Sequence, residues 1–140
     1  MTFITPKNLI EKEENDLFEC GRILAGAFQN YPLFYEFLGR EKYSVEDASK
    51  VFMTIIASSG ENTHTYLHRS GKGVCSFAEP NVSSTDIFRI VKSLKWSLHY
   101  ILKHPASLIN LVGFDSCCAK IRREAGYSDA WYLFLLGVEK

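Results

Sequence analysis

A chain of 140 residues is long enough for one domain with a sizeable core, because chains near this size bury roughly 70% of the surface they expose when unfolded. Its 46% hydrophobic and 14% aromatic content excludes a disordered segment, and 16 basic residues balanced by 16 acidic ones give no net field to recruit nucleic acid or an anionic membrane. The opening Met-Thr-Phe-Ile-Thr-Pro-Lys lacks a basic segment leading into an apolar stretch, and no apolar run reaches about 18 residues, so a soluble, cytoplasmic protein is expected.

A first strand is expected near Thr2–Thr5. Asn15 is placed to cap a helix over Asp16–Phe28, where Leu17, Cys20, Ile23, Leu24, Ala27 and Phe28 recur at three- and four-residue steps and mark a core face. Asn30-Tyr31-Pro32 ends it, because the residue before proline is pushed out of the helical region, and Pro32 suits the first turn of a short helix ending near Gly39. Ser44-x-x-Asp47 resembles a capping box with aspartate in the acidic place. It precedes an amphipathic helix carrying Val45, Ala48, Val51, Phe52, Ile55 and Ile56 to about Gly60.

Alternation over Thr63–Arg69 sets Thr65 and Leu67 on one side and His64, Tyr66 and His68 on the other. After a Ser70-Gly71-Lys72-Gly73 turn, Gly73–Ala78 returns as the second strand of a hairpin. Ser83-x-x-Asp86 then caps a long helix with Ile87, Ile90, Val91, Leu94, Leu98, Ile101 and Leu102 on its inward face. Its other face, with Arg89, Lys92, Lys95, His99 and Lys103, reads as solvated, and no membrane partner is expected. Pro105 interrupts, Ala106–Val112 forms a short helix, and Asp115 caps another over Ser116–Ala125 with Gly126 in the C-terminal cap position.

The charge-free run Ala130–Val138 reads as a buried central strand, Trp131–Val138, whose far edge calls for a neighbour that the chain does not supply. The elements together predict a single α+β domain with a small, mostly antiparallel sheet flanked by helices. Four cysteines, two in apolar patterns and two adjacent, resemble no disulfide framework, so reduced thiols are expected. His64, His68 and Cys75 share a hairpin, but no Cys-x-x-Cys or His-Glu-x-x-His spacing accompanies them and no metal is expected. His99 and His104, without patterned partners, read as surface residues.

Three segments carry a family resemblance: Ala27-Phe28-Gln29-Asn30-Tyr31-Pro32-Leu33, then Gly73-Val74-Cys75-Ser76-Phe77-Ala78-Glu79-Pro80, then Trp131-Tyr132-Leu133-Phe134-Leu135-Leu136-Gly137-Val138. They resemble, in order, the helix junction beside the acceptor site, the strand that exits in a proline, and the cofactor-binding strand of GNAT-superfamily N-acetyltransferases. The resemblance implies a GNAT-like acyltransferase fold, transfer of acetyl from acetyl-coenzyme A to an amine, and cofactor contacts at Leu136, Gly137 and Val138. It also implies an acceptor pocket lined by Tyr31 and Tyr35. Glu79 is the candidate catalytic base for an acceptor ammonium, since a partly buried carboxylate suits that task.

Family members continue from this strand into a Gln/Arg-x-x-Gly-x-Gly/Ala loop that binds the pyrophosphate, whereas this sequence stops at Glu139-Lys140. The expectation is an incomplete, truncated GNAT-like domain, with weak or absent acetyl-coenzyme A binding and activity on its own. The alternative is a non-catalytic interaction module that pairs through Trp131–Val138 with a complementing chain or with itself.

Overall fold

The computed structural model describes residues 7–32, 34, 44–80 and 87–139, with the Ile87 side chain excepted. The strand expected at Thr2–Thr5, Tyr35, most of the short helix after Pro32, and the Ser83–Asp86 cap lie outside the described residues. Within them, an antiparallel sheet of four strands has the order β1 (Leu9–Glu11), β2 (Thr63–His68), β3 (Gly73–Ala78) and β4 (Tyr132–Val138). The helices are α1 (Leu17–Ala27), α2 (Val45–Ser58), α3 (Ile87–Ser93), α4 (Leu98–Lys103) and α5 (Pro105–Glu124). The fold is α+β, as the alternation and helical spacings predict.

The two sheet faces follow from the register. Thr65 stands opposite Ser76 and Leu67 opposite Val74, while His64 faces Phe77 and Tyr66 faces Cys75 across the same strands. Successive side chains alternate, so the first set points to the helix layer and the second to the other face, which is open at β4 but buried at Tyr66 and Cys75. Thr65 and Ser76 are both buried and satisfy each other through a 2.8 Å hydroxyl contact.

α1 lies across β3 and β4, α2 packs on α1, and α3 packs on α2. The core between them is apolar and aromatic: Phe52, Leu24, Ile23 and Cys20 are fully buried, and Phe34 stacks on Phe52 with ring centroids 4.6 Å apart. Each such aliphatic or aromatic side chain contributes about 1.5–3 kcal/mol on burial. Backbones approach closely where α1 meets α2, since a Cβ built on Gly21 would stand 2.7 Å from the Ser49 carbonyl oxygen.

Local signals account for some helix ends. A 3-10 turn, Glu14–Asp16, precedes α1, with Asp16 Oδ2 accepting the Glu13 N–H at 3.0 Å; Asn15 is inside this turn and is not the cap. At α2 the Ser44 hydroxyl accepts the Asp47 N–H at 3.0 Å and donates to Asp47 Oδ2 at 2.8 Å. α5 ends at Gly126, whose φ of 76° lets its N–H reach Arg123 O at 3.1 Å while Tyr127 N–H reaches Arg122 O at 2.9 Å. These paired contacts satisfy two terminal carbonyls.

Three expectations are corrected. The long helix from Ile87 is broken by a 3-10 turn, Leu94–Trp96, and it turns Ser93, Ser97 and Tyr100 inward, leaving Val91, Leu98 and Leu102 exposed. The inward side meets Thr54 on α2: Ser97 Oγ lies 2.7 Å and Ser93 O 3.2 Å from its hydroxyl oxygen, a buried polar seam that rotating the apolar stripe inward would leave unsatisfied. Second, α5 is one helix from Pro105 onward, with Asp115 in its interior, because no proline interrupts it and Gly113 costs only about 1 kcal/mol. Third, β4 is at the edge of the described sheet: it pairs only with β3, and of its residues only Gly137 is buried.

Candidate functional site

β4 carries the geometry of interest. Ser76 pairs with Leu135 and Phe77 with Leu133, so Phe134 is an extra residue that bulges the strand. Toward its other end, the Glu139 N–H donates to Lys72 O at 2.8 Å, which marks position 139 as directed at β3. Backbone direction alternates along a strand. Gly137 therefore also points at β3, whereas the N–H and C=O groups of Leu136 and Val138 point away from the sheet along its outer edge.

Gly137 is where the strand meets the body of the protein. A Cβ there would lie 2.8 Å from Leu24 Cδ2 and 3.2 Å from Ala27 Cβ, so a side chain at this position would require Leu24 and Ala27 to give way. Arg22 on α1 also spans Glu19 at 2.7 Å and Glu139 at 2.9 Å, although these pairs are too exposed to add much stability. The flanking Leu136 and Val138 side chains are 55% and 60% exposed on the open face.

Beside the bulge, on the helix-covered face, is an apolar chamber of ≈ 240 Å³ between β4, α2, α3, α5 and the Phe28–Tyr31 turn that follows α1. Tyr31, Phe28, Phe114, Tyr132 and Leu135 border it, and Asp115 and Cys118 bring the polar groups of α5 to its wall. Half-buried positions of α5, Leu108, Leu111, Asp115, Cys118 and Arg122, recur at helical spacing, which explains why Asp115 is turned inward in mid-helix. Burial pushes the Tyr132 hydroxyl up to about 12, against the pull of Arg122, whose guanidinium lies 3.7 Å from the ring centroid. Tyr132 is thus a protonated donor at neutral pH.

Glu79 is elsewhere. Its carboxylate meets His64 Nε2 at 2.9 Å, while His64 Nδ1 faces Glu11 at 3.3 Å and the imidazole lies 5.8 Å from the Trp131 ring. By register this cluster is on the open face, opposite the chamber. The structure therefore brings Tyr31 together with β4 but does not bring Glu79 to them, and Tyr35 lies outside the described residues. Asp115, expected only as a helix cap, and Tyr132, quoted only as part of the Trp131–Val138 strand, complete the chamber wall.

The four cysteines are free thiols, and burial raises the Cys20 pKa to about 11. No group of three or more His, Cys, Asp or Glu residues is arranged to hold a metal ion among the described residues. Nor is any described helix long and apolar enough to cross a membrane. The chain matches no protein-family model and no curated protein.

Proposed function

We propose that this chain carries the acyl-arm and acceptor sites of a GNAT-like N-acetyltransferase. The outer edge of β4 takes the secondary amides of acetyl-coenzyme A, and the chamber takes an amine. The outward-facing backbone groups of Leu136 and Val138, on the strand whose Tyr132, Phe134 and Leu135 line the chamber, carry the reading. A secondary-amide arm binds such an edge like an added strand, through main-chain donors and acceptors. The three segments quoted above supply the family resemblance.

The residues fit these roles chemically. Acetyl-coenzyme A supplies an acetyl thioester when bound. The Asp115 carboxylate at the chamber wall would hold an acceptor ammonium and take one of its protons, freeing the nitrogen lone pair to form the C–N bond as the thioester C–S bond breaks; the second proton lost from nitrogen goes to the departing thiolate, to which the Tyr132 hydroxyl donates a hydrogen bond. Glu79, held by His64 on the other face, takes no part in this arrangement.

Titration of acetyl-pantetheine, followed by backbone amide shifts, tests the reading. The amides of Leu136 and Val138 are expected to move, and Leu136→Pro to weaken binding about 2- to 10-fold by removing one outward N–H while sparing the β3 ladder. Proline is tolerated at an edge position of this kind. Unmoved β4 amides at saturation, or equal affinity in a folded Leu136→Pro variant, would sink the assignment. A second reading, strand pairing with a partner chain, is favoured by the exposed row Leu133, Leu136 and Val138 on the open face.

A further inference from the structure

The face that α3 and α4 turn to solvent is unlike the rest of this electrically balanced chain. Phe88, Val91, Lys95, Leu98 and Leu102 follow one another at steps of three, four, three and four, and all are exposed. Phe88 is 83% and Leu102 73% exposed. Lys92, His99 and Lys103 are exposed beside them, and Lys95 also lies over the Trp96 ring at 4.2 Å. From Ile87 through Phe114 the sequence has Arg89, Lys92, Lys95 and Lys103 and no aspartate or glutamate. The stretch is therefore locally cationic although the chain totals 16 charges of each sign.

We propose that this outer face docks the chain on an anionic lipid surface. Large apolar side chains interleaved with lysines, on helices lying side-on, match an interfacial segment that buries its apolar tips at the headgroup boundary. The inward face is already committed through Ser93 and Ser97 to Thr54, so rotating the stripe back into the core would break those hydrogen bonds.

Other occupants fit less well. A second copy would set Lys92, Lys95 and Lys103 against their own counterparts. A partner helix needs a continuous straight face, whereas the axis here is interrupted at Leu94–Trp96. A lipid surface demands no shape match. Each lysine near an anionic surface contributes about a fivefold factor in partitioning, so the three give roughly a hundredfold preference for anionic over neutral lipid.

The test is co-sedimentation of the whole chain with vesicles of phosphatidylcholine alone and of equimolar phosphatidylcholine and phosphatidylglycerol. Binding is expected only to the anionic vesicles and should fall as salt shortens the screening length from about 10 Å at 0.1 M to 3 Å at 1 M. Leu98→Ser with Leu102→Ser should weaken it more than tenfold, and Lys92→Glu with Lys95→Glu should abolish it. All four side chains are exposed, so the variants keep the fold by circular dichroism. Equal binding to neutral vesicles, no binding by the folded chain, or a lipid-free dimer dissolved by the leucine pair would each overturn the proposal. Leu136→Pro lies on β4 and should leave vesicle binding unchanged, which separates this outcome from that of the acetyl-transfer reading.

Discussion

His64 shows how one side chain ties three parts of the sheet together. Its two ring nitrogens face carboxylates on β1 and just beyond β3, at 3.3 and 2.9 Å. A neutral imidazole has one N–H and satisfies only one of them, whereas an imidazolium satisfies both. The hydrogen bond to Glu79 chiefly, with a lesser one to Glu11, raises the His64 pKa above its ordinary 6.5 against an opposing effect of burial. Because the folded value is the higher one, this stabilisation is complete below the unfolded value near 6.5 and disappears as pH rises through the folded value. Urea midpoints should therefore show wild type ahead of His64→Gln in acid, with the gap closing above neutrality. A pH-independent gap would show that the ring acts by packing alone. The same pairing places the Glu79 carboxylate against His64, on the face of the sheet opposite the chamber.

Between elements, the tightest fit is β4 on α1 at Gly137. Adding a methyl group there pushes Leu24, which is fully buried, and Ala27. Gly137→Ala should cost about 1–3 kcal/mol in chemical denaturation, as overpacking a filled site does. A loss below a few tenths would mean that β4 can slide outward at no cost. The elements that sequence patterns locate well are those whose burial is apolar and periodic. α1 and α2 present Cys20, Ile23, Leu24, Phe52 and Ile56 inward at helical spacing, and the hairpin is delimited by its turn. The orientation of α3 and α4 was not legible, because it depends on serines meeting Thr54, a hydrogen bond across the fold that hydropathy does not encode. The chamber is similarly hidden: Tyr31, Asp115 and Tyr132 are far apart in sequence, and only their packing makes them neighbours. Leu136, Gly137 and Val138 could be picked out as a strand, but which of them point outward depends on pairing with β3.

For the molecule as a whole, β4 is an edge strand among the described residues, and pairing between copies is expected there. Outward backbone groups beside exposed Leu133, Leu136 and Val138 form a template for another strand. Light scattering at rising concentration should show association, and Leu136→Lys should suppress it. That side chain faces solvent, so the lysine leaves the core intact, whereas a charge at the half-buried Leu135 would be placed against α1 and α2. A wild-type chain that stays monomeric at high concentration would mean that the edge is covered. The contact between Arg22 and Glu139, 117 positions apart, has a further consequence in time. Translation adds about 5–20 residues per second, so roughly 6–20 s pass between the emergence of α1 and that of β4. Throughout that interval Leu24 and Ala27 lack their covering strand, and this part of the α1 surface stays uncovered until β4 can pair.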